Sequence, residues 1–366
     1  MGGKRDWLVR KREKTFRRFV ERAYFRVLMT GKMAWDELSF RQPIPLSRRV
    51  GYLRRGFGTK SALIYGLNSG NADLFLPDTA WPRMMHLNGS FGCVLNNKLL
   101  FHQVLQAYRE HLPENHALIL EGRLFPLKGS GAGPELDVPR YLEERLPAVL
   151  KPVGGSASKG ICFLSKRAGG IYLNDEPVSS GDLKALVEKF HEYLVCGHVE
   201  QHPVLAGMYP HATATVKVLS VRDVDSGEPF IPHACVRVGT DDSRPFDALT
   251  RGGLTSRIWI EDGRLGKARG LYTPEEQGRE SHPDTGARIE GVLLPHWGLI
   301  RSKLIEMCRA FPYLNYLIWD LAVTAEGFRI LEGNNHPGLT LIQMHCPLLE
   351  DPRLRAFYAH HGVVGH

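Results

Sequence analysis

This chain is short of most features that would place it in a class at once. Its 366 residues hold no run of 18 or more apolar residues, so no segment reads as a bilayer-crossing helix. The first residues are charged rather than apolar and do not read as a secretory leader; a cytoplasmic protein is expected. Six cysteines (Cys93, Cys162, Cys196, Cys235, Cys308 and Cys346) show no Cys-x-x-Cys spacing, which argues for reduced residues rather than a disulfide framework or a zinc site. The sixteen histidines lack metal-ligand spacing too, and His360-His361 reads as a solvated end. The Walker pattern of Gly-Lys-Ser/Thr opening a helix is missing. There is no internal repeat and no low-complexity segment.

Charge is present but unevenly placed. The net charge is +8, yet residues 1–60 hold 17 Lys/Arg against 5 Asp/Glu, and the remainder holds 30 against 34. One arm carries the basicity. Residues 7–30 read as an amphipathic helix, with Phe16, Phe19, Val20, Ala23 and Val27 at the helical period. Arg10, Lys11, Lys14, Arg17, Arg18 and Arg22 fill the other faces. Two readings stand: the apolar stripe packs on the body, or the helix lies on an anionic membrane surface at the inner face. Aromatics do not interleave the basic residues as a stacking platform would, so no nucleic-acid partner is expected.

The stretch richest in chemistry is Ile330-Leu331-Glu332-Gly333-Asn334-Asn335-His336-Pro337-Gly338. Strand residues two apart share a face, so Glu332 and Asn334 can reach one cation together. Asp320 lies upstream in the apolar run Tyr316–Ala322, and pairing of the two strands across Glu326-Gly327 would bring in a third oxygen donor. A carboxylate inside Ile-Trp-Asp-Leu-Ala is unfavourable to bury without a cation or partner. Few ligands, all oxygen, suit Mg²⁺ that also holds substrate phosphates, with Mn²⁺ as a substitute.

A second stretch supplies an anion site. Ala148–Val153 reads as a buried strand carrying Lys151, followed by Gly154-Gly155-Ser156-Ala157-Ser158-Lys159-Gly160 and a second strand, Ile161–Leu164. Gly154, Gly155 and Gly160, with Ser156 and Ser158, make a hairpin whose N–H groups can approach phosphate closely. A buried Lys151 ammonium would take a nucleotide phosphate as its partner.

Lys-Pro before a Gly/Ser loop, then Asp on a strand, then Glu-x-Asn before Pro-Gly, resembles the ATP-grasp superfamily, with Lys98 after Asn96-Asn97 in the place of its first ATP-contacting lysine. Gln201-His202-Pro203, Lys217, Arg237-Val238-Gly239 and Gly252-Gly253 are most similar to the group associated with sugar-transfer gene clusters. The resemblance implies an α/β (α+β) fold with ATP held between a small lid and an antiparallel core sheet. It implies an ATP-dependent carboxylate–amine ligase acting through an acyl phosphate and releasing ADP and phosphate, on a sugar acid or amino acid of polysaccharide or cell-envelope biosynthesis. It puts the adenine hinge at Leu194–Val199, with the Gly197 carbonyl and Val199 N–H facing the base and Glu200 or Gln201 meeting the ribose. Cys196 stands where the family commonly has Gln or Glu. Lys217 would reach the terminal phosphate, and Arg237 would meet a substrate carboxylate or acyl phosphate, a structural ion pair being the other reading. Ile318 replaces an Arg common in the amino-acid ligases. Other readings are an ATP-grasp phosphotransferase, a nucleotide-binding scaffold, and an adaptor acting through the basic helix.

The expected divisions are a basic helix at 1–35, an α/β domain at 36–145, a lid at 146–203 and a core with the metal site at 204–366. Helices are expected at Leu99–Glu110, Asp137–Glu144, Leu183–Tyr193 and Pro295–Phe311. A strand pair is expected at 117–126, longer strands at Ala212–Arg222 and Ile231–Gly239, and a long polar loop at Gly263–Gly286.

Overall fold

The computed structural model describes residues 27, 31, 33–127, 136–155, 159–274, 277–335 and 338–365. The basic helix predicted at 7–30 falls almost wholly outside them, as do Ser156 and Ser158. The chain divides into two compact units.

The unit formed by Met1–Gly89, Arg222–Glu228 and His336–His366 has helices in the described parts of its first and last pieces, and Arg222–Glu228 is a strand end and turn. Helix α1 is Leu46–Arg54. The apolar piece at 62–65 closes a helix, Thr59–Ile64, after which Tyr65 stacks on Phe75 at 5.2 Å. Among the described residues no strand precedes Asn115. Gln343 clamps this unit, accepting from the Leu76 N–H at 2.6 Å and donating to the Leu76 carbonyl at 2.9 Å.

The unit Ser90–Val221 with Pro229–Asn335 carries both sheets. After a short helical turn at Gly92–Leu95 comes helix α2, Lys98–Val104, capped by the Asn97 side chain on the Leu100 N–H. The helix expected to run to Glu110 breaks at Leu105 and continues as a 3-10 segment, Gln106–His111. The first sheet contains β1 (Asn115–Leu120), β2 (Arg123–Pro126), β3 (Ala148–Pro152), β4 (Cys162–Arg167), β5 (Gly170–Leu173), β6 (Glu176–Val178) and β7 (Glu192–Gly197). Its order is β2-β1-β7-β3-β4-β5-β6, and each pairing is antiparallel. Helix α3, Ser180–Glu188, begins with a capping box between Ser179 and Asp182 and buries Leu183 and Val187 against this sheet. It stops short of the predicted Tyr193, because Glu192 already begins β7.

The second sheet runs β11-β10-β9-β8-β12-β13. Its strands are β8 (Thr215–Arg222), β9 (Pro229–Val238), β10 (Leu254–Ile258), β11 (Leu265–Arg269), β12 (Tyr316–Thr324) and β13 (Gly327–Asn334). One face packs Val216, Val218, Val236, Trp319 and Ile330 against α4, Trp297–Ala310, which buries Ile300, Leu304 and Met307. The loop expected over 263–286 therefore contains a strand: the short run at 265–269 pairs β10 and is too brief to stand out from its polar neighbours. Among the described residues no helix is long and apolar enough to cross a membrane.

Candidate functional site

Strand parity alone would aim Glu332 the wrong way. Phe328 and Ile330 of β13 face the apolar core, so a regular strand would send residue 332 there too. The register shows why it does not: Leu321 pairs Ile330 but Asp320 pairs Glu332, leaving Leu331 as one extra residue. This bulge turns Glu332 and Asn334 to the other face, opposite Asp320. Gly333 then takes the core side, where a Cβ would lie 2.7 Å from the Phe101 ring. Asn334 Nδ2 donates to Asp320 Oδ1 at 3.2 Å, and it lies 3.5 Å from Glu332 Oε1.

Basic residues meet these carboxylates. Lys217 is directly opposite Asp320 across β8 and β12, and its ammonium donates to the Asp320 carboxylate. Lys98 Nζ is 3.2 Å from Glu332 Oε2 and donates to the Gly155 carbonyl at 3.1 Å. Burial raises both carboxyls. At Asp320 burial wins despite Lys217, helped by the Glu332 charge. At Glu332 the ammonium groups of Lys98, Lys217 and Lys151 outweigh burial and hold the carboxyl below its usual value.

Lys151, on β3, is 7% exposed, and its Nζ donates to the Leu331 carbonyl at 3.2 Å, a neutral acceptor freed by the bulge. His102 Nε2 shares that carbonyl at 3.2 Å. His102 Nδ1 accepts from Asn115 Nδ2 at 2.9 Å, while Asn115 Oδ1 accepts from Cys196 Sγ at 3.3 Å. Burial, then the nearby Lys151 ammonium, lowers the His102 pKa to about 4, so the ring is neutral with its proton on Nε2. Burial also raises the Cys196 thiol, which stays protonated. Neither His102 nor Asn115 carried a sequence signal.

Gly154 and Gly155 line the cleft next to Lys98 and Lys151, and Gly155 needs its φ of 103° for the turn. Gly160 lies apart, close under Tyr193 and Pro152. Gly197 and Val199 line the cleft as well. The Gly197 N–H is taken by the Glu114 carbonyl at 2.8 Å, whereas among the described residues nothing ties down the Val199 N–H. Glu200 is exposed and does not line the cleft. Gln201 is occupied elsewhere, donating to the Tyr209 and Ala212 carbonyls and accepting from the Ala214 N–H.

At the far end, Arg237 is engaged by Asp247, a residue with no sequence signature. Nε and Nη2 donate to the two Asp247 oxygens at 3.1 and 2.6 Å, and Asp247 also accepts the Thr215 N–H at 3.1 Å. Burial works against the guanidinium charge, but Asp247 and Asp320 raise its pKa on balance. Arg237 lines the cleft with Nε and Nη2 already committed to Asp247. Phe246, beside Asp247, meets Phe163 of the β3–β4 hairpin at 5.6 Å.

The cleft has about 1010 Å³ of empty space continuous with solvent. Lys98, Lys151, Lys159 and Arg237 line it with Asp247, Asp320 and Glu332, and Lys217 is paired with Asp320, so cations exceed carboxylates. Among the described residues no three His, Cys, Asp or Glu side chains are grouped to hold a metal. The candidate set is two carboxylates and the Asn334 amide. Turning that amide over would make all the donors oxygen, which fits a hard divalent cation.

Among curated proteins none matches the sequence. Solved structures do. N5-carboxyaminoimidazole ribonucleotide synthetase with ADP is 14% identical over 68% of this chain and 46% of its own, with a TM-score of 0.37. D-alanine–D-alanine ligase from Bacillus anthracis is 10% identical over 74% and 69%, with a TM-score of 0.39. L-amino acid ligase from Bacillus licheniformis is 11% identical over 72% and 48%, with a TM-score of 0.35. This chain thus spans about half the length of the first and the last. Residues 87–354, far more than half of the chain, match a single family, and this protein belongs to it: the sugar-transfer associated ATP-grasp family.

Proposed function

We propose that the chain is an ATP-dependent carboxylate–amine ligase. The observation that carries this reading is the buried Lys151 ammonium, hydrogen-bonded to a neutral carbonyl and set beside Lys98 and Gly154-Gly155. A buried ammonium that hydrogen-bonds a carbonyl and shares the Glu332 charge with Lys98 and Lys217 has charge to spare for an anionic guest, and a triphosphate accompanied by a divalent cation matches the cationic surplus of the cleft. Lys98, Lys151 and the glycine N–H groups would hold the phosphates. The Val199 N–H would meet the adenine. Asp320, Glu332 and Asn334 would hold Mg²⁺ or Mn²⁺, which when bound neutralises charge on the transferring phosphoryl group.

In the reaction, a substrate carboxylate oxygen bonds to the γ-phosphorus as the bond to ADP breaks. An amine then attacks the carbonyl carbon, phosphate departs, and the amine gives up a proton. Arg237, held by Asp247, would orient the acid or its acyl phosphate through its outer N–H groups. Lys217 would turn from Asp320 toward the transferred phosphate. Enclosure by the hairpin at 154–160 would keep water from the acyl phosphate. The substrate class in this reading is a sugar acid or amino acid of polysaccharide or envelope biosynthesis, the family's association with sugar transfer supporting the sugar acid. A screen of uronic and amino acids against amines, read as ADP release with product masses, tests this. An acid–amine pair that yields ADP and a condensed product supports it; a phosphorylated product without amide favours a phosphotransferase.

A further inference from the structure

Among the described residues, the helical unit carries an apolar face exposed to water. Helix α1 buries no side chain. Leu46, Val50 and Leu53 are 75%, 37% and 40% exposed and fall within about 60° of one another around the helix. The neighbouring helix at 33–39 adds Trp35 and Leu38, three residues apart, at 71% and 83%. Arg49 joins the two pieces, donating to the Glu37, Phe40 and Gln42 carbonyls. Pairs so placed add only a few tenths of a kcal/mol to their helix, and such a grouped apolar surface marks a contact site.

The surroundings say what kind of contact. Residues 33–60 contain Arg41, Arg48, Arg49, Arg54, Arg55 and Lys60 against only Asp36 and Glu37. Glu37 is already turned inward, onto the Thr59 hydroxyl at 2.8 Å. Arg41, Arg48, Arg54 and Arg55 are exposed. A nucleic acid would use the arginines and leave Leu46 and Leu53 in water. A protein would need a shaped recess for five apolar side chains spread over two helices. A bilayer surface takes both: leucines and valine at the acyl boundary, tryptophan at headgroup level, and arginine stems reaching to anionic headgroups.

We propose that Trp35, Leu38, Leu46, Val50 and Leu53, with the flanking arginines, dock this protein on an anionic lipid bilayer. The docking does not depend on the reaction catalysed in the other unit. The full chain is sedimented with phosphatidylcholine vesicles, with and without phosphatidylglycerol. Binding is expected only with phosphatidylglycerol, weakening as salt rises from about 0.1 to 0.5 M. The triple variant Leu46→Ser, Val50→Ser, Leu53→Ser should bind about tenfold more weakly or worse with an unchanged Tm, and Arg48→Glu with Arg54→Glu should do the same. The proposal is overturned by absence of vesicle binding, or by a triple variant that binds like wild type, since residues 1–32 would then suffice. It is equally overturned by a marked loss of Tm in the triple variant, meaning that the chain itself covers the stripe. Self-association that requires the stripe would make the occupant a second copy and overturn it too.

Discussion

Replacing Lys151 with methionine keeps an unbranched side chain, shorter by the terminal nitrogen, and removes the charge. In the nucleotide-free protein the ammonium is buried and bonded to a carbonyl, and the Leu331 carbonyl keeps a second donor, His102 Nε2, when the lysine is gone. No acceptor is orphaned, and the desolvation penalty of an ammonium disappears. The lost attraction to the Glu332 carboxylate offsets that gain, so folding stability without ligand should change little. Binding of ATP should suffer: a hydrogen bond from a charged group contributes about 1.5–3 kcal/mol, which is about 10- to 150-fold in Kd. Titration calorimetry with ATP and Mg²⁺, set beside thermal unfolding of both proteins without nucleotide, reads the two effects separately. ATP affinity within about twofold of wild type would refute the phosphate role. A Tm lower by more than about 5 °C would show that Lys151 serves the fold instead.

Glu332→Gln should weaken Mg²⁺-dependent nucleotide binding by about 10–100-fold or more with the fold retained, measured as ATP affinity across a Mg²⁺ titration; an unchanged Mg²⁺ dependence contradicts the metal role. Gly333→Ala should destabilise by about 1–3 kcal/mol through overpacking, since its Cβ would sit 2.7–3.0 Å from Phe101 and Leu317; urea unfolding checks this. His102 makes stability pH-dependent. Its folded pKa, about 4, lies below the ordinary 6.5, so its contribution is full above pH 6.5 and is lost as the pH falls toward 4. The loss amounts to about 3 kcal/mol, and urea unfolding across this range should show a shallower slope in His102→Gln; identical slopes would contradict the neutral, buried ring.

The carboxylate strands were legible because a charge inside an apolar strand is rare and needs a reason. Asp320 and Lys151 both announced themselves this way, and both lie buried at one cleft. The pairing of β12 with β13 followed from the turn at Glu326-Gly327. The bulge at Leu331 was not legible: it is a property of register between two strands, and no residue type marks it. Its consequence, a free carbonyl for Lys151 and His102, was hidden for the same reason. Asp247 stood in a polar stretch where any carboxylate reads as solvated, and only the fold brings it to Arg237. The apolar piece at 62–65 was too short for its period to separate helix from strand. The pairing of β1 with β7, from Leu120 opposite Glu192 to Asn115 opposite Cys196, is long-range and leaves no local trace.

The central claim is that a substrate carboxylate is activated by phosphoryl transfer from ATP before an amine displaces phosphate. The most direct measurement uses an acid that supports ADP release, labelled with ¹⁸O in its carboxylate, and follows the label by mass spectrometry. The account expects one ¹⁸O in the released phosphate and an amide product that has lost one labelled oxygen. Phosphate free of label, or a product that keeps both labelled oxygens and carries the phosphoryl group, would contradict it.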